Sequence, residues 1–217
     1  MKMECIIVVF SVVTLGCGSS YVVSSSPDSE SQFLLASILN ELGRVGEAEL
    51  QLTDVLKAQP DYTEAVLLQA QARLELTNYA GAIELLAANQ GKAGTNADQY
   101  LFWLGEAYSR KGDWRAASDT FAKLVKEQPA SARCLEASVG EASARSTLAQ
   151  TEPAEWQRVI ALLQETNGLF QTAAATNAAS DLAPRGYLLL SEAQLAAKDY
   201  RAAEATLQPL TNRVMNP

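Results

Sequence analysis

The stretch LFWLGEAYSRKGDWRAASDTFAKLVKEQP, residues 101–129, decides the fold. Leu104, Gly105 and Tyr108 share one face of a helix, and Ala117, Phe121 and Leu124 share one face of a second. Residues three and four apart lie side by side on a helical surface. Gly112-Asp113 separates the two, with the Asp113 carboxylate placed to cap the second helix. Pro129 ends it, since proline lacks the N–H and clashes with the preceding turn. Gly105 and Ala117 are small enough to let the helices approach, while Tyr108, Trp114 and Phe121 fill the space beside them. One such hairpin cannot bury its own apolar face, so further copies are expected to stack on it.

The copies are present. Gly105-Glu106-Ala107 recurs as Gly140-Glu141-Ala142, with Ala70-Gln71-Ala72 and Ala36-Ser37-Ile38 upstream at the same spacing of 34 or 35 residues. Ser191-Glu192-Ala193 lies further on. The second helix keeps step: Val45-x-x-Ala48-x-x-x-Leu52, Tyr79-x-x-Ala82-x-x-x-Leu86, Trp114-x-x-Ala117-x-x-x-Phe121, Trp156-x-x-Val159-x-x-x-Leu163 and Tyr200-x-x-Ala203-x-x-x-Leu207. Pro60 and Pro129 close their units at the same place. The motif Leu104-Gly105-x-x-Tyr108, Ala117-x-x-x-Phe121, Pro129, repeated in register, resembles the tetratricopeptide repeat (TPR) family. The resemblance implies an all-α fold, a right-handed α-solenoid of about five TPR-like helical hairpins over 29–60, 61–94, 98–129, 132–180 and 181–217. Two insertions interrupt the period. The fourth hairpin's second-helix aromatic is due at 149 and arrives as Trp156, so 149–153 lengthens the turn or both helices, with Pro153 suited to a helix's first turn. The Ala-rich piece 167–181 is expected to continue or follow the fourth hairpin's second helix, broken at Asn167-Gly168. Gly43 and Gly46 mark the first turn, and 91–96 reads as an enlarged loop.

Composition agrees with helices and excludes several functions. Of 217 residues, 48% are hydrophobic and much of that is Ala and Leu, which favour helix. The net charge of −8 without a long basic run argues against a nucleic-acid partner, which needs a positive face. There is no histidine, so His-based acid–base chemistry, His-activated nucleophiles and His-ligated metals drop out together. No cysteine spacing suggests a metal site, and no Gly-rich phosphate loop follows a strand. Glu106 and Glu141 could face one groove, but acidic pairs on helices are common. No catalytic residue, metal or cofactor is expected, and the partners are proteins or peptides.

Residues 1–16 fall outside the repeats. Lys2 precedes an apolar run from Cys5 to Gly16, too short to span a bilayer but suited to an export signal. Leu15-Gly16-Cys17 followed by the Ser-rich stretch 17–28 resembles a bacterial lipoprotein signal. That resemblance implies lipidation of Cys17, a flexible tether, and the periplasmic side of the cell envelope. A cytoplasmic adaptor with an incidental apolar N-terminus is the alternative. Cys134 reads as a small buried side chain in the fourth hairpin.

In the TPR family, first helices line a concave groove that holds a partner segment. The implied groove positions are Phe33, Leu67, Phe102, Ala137 and Leu188 along one line and Ser37, Gln71, Glu106, Glu141 and Glu192 along another. A groove apolar on one line and acidic on the other implies a partner with apolar anchors and basic residues. The same glutamates also suit a solvated helix face. The clamp used by chaperone-binding members is not expected: Phe33, Ser37, Leu68, Gln99 and Trp103 supply no positive charge for a terminal carboxylate. No polar capping helix follows Met215-Asn216-Pro217, as expected for a fragment of a longer array or for self-association at that face.

Overall fold

The computed structural model describes residues 28–165, 168–176 and 181–215. The signal-type segment 1–16 and Cys17, with the linker up to 27, lie outside the described residues. Among the described residues there are eleven α-helices, two short 3-10 turns and no strand. The hairpins pair α1 (Ser29–Glu41) with α2 (Val45–Ala58), α3 (Thr63–Glu75) with α4 (Tyr79–Asn89), α5 (Ala97–Lys111) with α6 (Trp114–Glu127), α7 (Cys134–Leu148) with α8 (Glu155–Gln164), and α10 (Leu182–Ala196) with α11 (Tyr200–Met215). A short extra helix, α9 (Leu169–Thr176), stands between the fourth and fifth hairpins. Each second helix packs on the first helix of the next hairpin, α2 on α3, α4 on α5, α6 on α7 and α8 on α10. The result is a right-handed α-solenoid of TPR-like hairpins.

Four of the five hairpins turn in the same way. After α1, α3, α5 and α10 one residue adopts a left-handed backbone: Gly43 (φ +74°), Thr77 (φ 59°), Gly112 (φ +86°) and Lys198 (φ 64°). The N–H of the following residue then bonds to a carbonyl five positions back, as Arg44 does to Leu39, Asn78 to Arg73, Asp113 to Tyr108 and Asp199 to Gln194. These bonds satisfy carbonyls that the end of a helix leaves open. Gly46 is not part of the turn but lies inside α2. Asn78 and Asp113 cap the helices that follow, their side-chain oxygens accepting from the N–H groups of Gly81 and Ala116. Asn78→Ala is therefore expected to lower stability by about 1 kcal/mol, read from urea unfolding followed by far-UV circular dichroism.

The fourth hairpin departs from this scheme. Residues 149–154 form the longer turn, and Pro153 lies ahead of α8, outside its first turn. The proline carbonyl accepts from the Trp156 N–H at 3.2 Å, which ties the turn to the helix start. The expected loop at 91–96 is likewise ordered, into 3-10 turns at Gln90–Lys92 and Gly94–Asn96. The Ala-rich insertion follows α8 as the separate helix α9. It is held by Phe170, whose ring lies so close to Gly186 of α10 that a Cβ there would stand 2.3 Å from it. Gln171 also donates to the Leu163 carbonyl at 2.6 Å and accepts from the Tyr187 hydroxyl at 3.1 Å.

The core is a row of apolar clusters at the seams between hairpins. The central one joins Leu101, Phe102, Phe121, Leu124, Cys134 and Ala137 from α5, α6 and α7. Phe121 is fully buried there, contributing about 2–3 kcal/mol from its removal from water. A Cβ added to Gly105 would meet its ring at 2.6 Å, and one added to Gly140 would meet the other edge at 2.8 Å. Two glycines from successive first helices thus grip one phenylalanine. In the earlier units the same positions hold Ala36 with Leu52 and Ala70 with Leu86, all fully buried. Small and large residues trade volume across the seam.

A polar seam joins the first two hairpins. Gln69 of α3, only 2% exposed, donates to Thr53 of α2 at 2.8 Å. Arg73, one turn further along α3, donates to the Glu49 carboxylate at 3.2 Å and to the Gly81 carbonyl at 2.9 Å.

Candidate functional site

The first helices α1, α3, α5, α7 and α10 carry the concave-face positions. Phe33 is half-buried against Tyr62, with ring centroids 4.9 Å apart, and Ser37 donates back to the Phe33 carbonyl at 3.1 Å. Leu67, Phe102 and Ala137 are buried in the seams and give no exposed apolar line across the middle hairpins. Their neighbours explain this: Leu67 packs with Val66, Leu86 and Tyr100, while Phe102 and Ala137 join the cluster around Phe121. Gln71 is half-buried, and Leu188 on α10 is 55% exposed, with Glu192 exposed one turn beyond it.

The glutamates differ from one another. Glu106 of α5 is half-buried, and burial pushes its carboxyl above the usual carboxylate range. Arg110 on the same helix and Arg185 on α10 pull it back down, and Glu136 on α7 adds to the rise. The charges that act on this carboxyl, after burial, thus belong to three hairpins. Beside it the Arg133 guanidinium lies over the Phe102 ring, 4.6 Å from its centroid, and donates to Glu136 at 2.6 Å. Cation–aromatic and ionic contacts thus hold the same arginine.

Glu141 is committed elsewhere. Its side chain is 8% exposed and accepts from Arg145 at 2.8 Å. Arg145 also donates to Glu155 of α8 at 2.9 Å, and that carboxylate, 4% exposed, accepts in turn from Arg158 at 2.6 Å. Burial raises the Glu141 carboxyl, and the hydrogen bond from Arg145 opposes the rise. The cluster ties the end of α7 to the start of α8 across the lengthened turn.

The arginines of this surface were not among the residues expected from sequence. Two of the pairs were open to view as i,i+4 spacing, Glu106 with Arg110 and Glu141 with Arg145, and one as i,i+3, Arg133 with Glu136. Arg185 near Glu106 carries no such local signal. Among the described residues no group of three or more Cys, Asp and Glu side chains could hold a metal ion, and no helix is long and apolar enough to cross a membrane. Cys134 is buried, its thiol pushed up by desolvation and donating to the Gln128 carbonyl at 3.3 Å.

This architecture is a stack of TPR-like helical hairpins whose first helices lie side by side. Residues 99–131, the third hairpin, match the tetratricopeptide repeat family. Among solved structures the fold is similar to a set of nearly identical TPR-like repeats from Podosopora anserina, at 17% identity over 88% of this chain and 100% of that one, with a TM-score of 0.64. It is also similar to MamA protein, at 15% identity over 83% of this chain and 88% of that one, with a TM-score of 0.65. No curated protein matches the sequence.

Proposed function

We propose that the chain is a non-catalytic scaffold whose concave face holds a segment of a partner protein, and that it works in the bacterial cell envelope, tethered through Cys17. The observation that carries the binding reading is the run of first helices packed side by side, α1 on α3, α3 on α5, α5 on α7 and α7 on α10, with Leu188 and Glu192 exposed on the last of them. Since Glu106 and Glu141 are answered by arginines, the acidic line expected from sequence reaches a partner mainly through Glu192. The exposed pair Leu188 and Glu192 on α10 suits a segment that sets an apolar side chain beside one and a basic side chain beside the other.

A photo-crosslinking residue at 188 is expected to capture one partner in cells, and the same residue at Lys123, on the exposed side of α6, is not. With that partner purified, raising salt from about 50 to 500 mM is expected to weaken binding, and Glu192→Lys to do the same at low salt. Binding indifferent to both would overturn the α10 reading. Palmitate labelling that depends on Cys17, with processing blocked by globomycin, is the result expected of the tether; unlabelled, unprocessed protein refutes it.

A further inference from the structure

We infer that the cleft between α9 and α11, floored by α10, binds an uncharged, extended segment of a partner protein through its main-chain amides. The cleft has a volume of about 590 Å³, within the range of pockets that enclose a ligand. Its floor is one face of α10, where Ala183, Tyr187, Leu190 and Gln194 follow at helical spacing. Gln171, Ala174 and Ala175 of α9 form one wall, and Ala202, Thr206 and Leu210 of α11 form the other. Leu188 and Glu192 fall on the opposite side of α10. The cleft is therefore separate from the concave face, and the two readings stand or fall independently.

The side chain that points to a ligand is Gln194. It is 3% exposed, and its Oε1 accepts from the Thr206 hydroxyl at 2.9 Å. Its amide nitrogen, with two N–H donors, bonds to no described residue. A polar group withdrawn from water and left unanswered is costly, and the cleft is where an answer can reach it. Turning the carboxamide over would leave the oxygen open instead, and a peptide group, with its own donor and acceptor, answers either end. The neighbouring glutamine already shows that pairing. Gln171 donates to the Leu163 main-chain carbonyl at 2.6 Å while accepting from the Tyr187 hydroxyl.

Charge and length narrow the class of ligand. Every described residue of the lining is uncharged, in a chain of which 19% is charged. A carboxylate, phosphate or ammonium group set there would meet no counter-ion. From Ala183 to Gln194 the floor runs about 17 Å along the helix axis, the span of about five residues of extended chain. Ala174, Ala183 and Leu190, all buried, give small side chains of such a segment an apolar bed. An oligosaccharide is equally neutral, but the ring it would stack on, Tyr187, is engaged edge-to-face with Phe170, the centroids 5.3 Å apart.

The test uses the full chain, isotope-labelled, and the neutral probe acetyl-Ser-Val-Ser-Val-Ser-amide. In heteronuclear NMR the probe is expected to shift the Gln194 side-chain amide pair to saturation. With a fluorescein-labelled probe followed by anisotropy, Gln194→Met is expected to weaken binding about tenfold, the loss that follows when a hydrogen-bonding partner is removed. Ala175→Trp, at an exposed position on the α9 wall, is expected to block binding by bulk while leaving the thermal midpoint unchanged. Probes with glutamate or lysine in place of the central serine are expected to fail. Absence of binding, or binding unchanged by both substitutions or by a charged central residue, overturns the inference. So does maltotetraose shifting the same amide pair while the peptide does not, because a saccharide would then be the ligand.

Discussion

Phe121→Ala is expected to cost about 3–5 kcal/mol, the range found for emptying a large aromatic site in a packed interior. Phe121 is fully buried and touched on opposite edges by Gly105 and Gly140, so its loss opens a void shared by two hairpins. In a stack where each unit contacts mainly its neighbours, such a void weakens the coupling between units as well as the units themselves. Urea unfolding is thus expected to move to lower midpoint and to broaden, as the hairpins before and after the seam part company. A steric control separates packing from mere bulk. Gly105→Ala would place a Cβ 2.6 Å from a ring that Gly140 prevents from retreating, at a cost of about 1–3 kcal/mol. Phe121→Leu in that background is expected to recover most of the loss, because alanine with leucine is the pairing already used by Ala36 and Leu52. If the double variant is no more stable than Gly105→Ala alone, the ring is not what the glycines accommodate.

Arg145→Ala is the second large effect. It leaves the Glu141 and Glu155 carboxylates, 8% and 4% exposed, without the guanidinium between them. Removing one partner of a buried pair typically costs about 3–5 kcal/mol. The pH dependence has a definite sign. Burial raises the Glu141 carboxyl above its unfolded value, so the protonated form favours the fold. That contribution is fully present below the unfolded value, near 4.5, and is lost as pH rises through the folded one. Without Arg145 the rise is larger. The penalty of the variant should therefore be greatest near pH 7 and shrink as the pH is lowered toward 5. Glu141→Gln added to Arg145→Met is expected to flatten this dependence, since no buried carboxylate then remains on α7. Thermal unfolding of the three proteins across that range decides it; a penalty independent of pH would show that Arg145 acts only through packing.

The hairpins were legible because each carries the same small and large residues at the same spacing, and a periodic signal survives local variation. Even α9 was foreshadowed by the break at Asn167-Gly168 and the alanines after it. The ring of Phe170 seated on Gly186 was not, since nothing in the spacing of two residues sixteen apart says that they meet. The concave face was less legible still. Leu67 and Phe102 stand at positions that the family resemblance assigns to the groove, yet both are buried, because large side chains here are drawn into the seams. The Glu106 carboxyl is pushed up first by burial and pulled back by Arg110 on its own helix, with Arg185 and Glu136 of other hairpins adding smaller, opposed influences that no local spacing announces. Which residues approach across a curved surface depends on the rotation between successive units, and that rotation is a property of the whole stack that no single unit encodes.

The left-handed turns have a further consequence. Where Gly43 and Gly112 adopt that backbone at no cost, Thr77 and Lys198 hold side chains in it, a conformation that works against an L-residue by roughly 1–2 kcal/mol. Two of the hairpins are thus wound against their own backbone preference and kept so by the packing around them. The array sits below the robustness its architecture permits, and glycine at either bend is a direct route to a hardier scaffold that leaves every binding surface as it was.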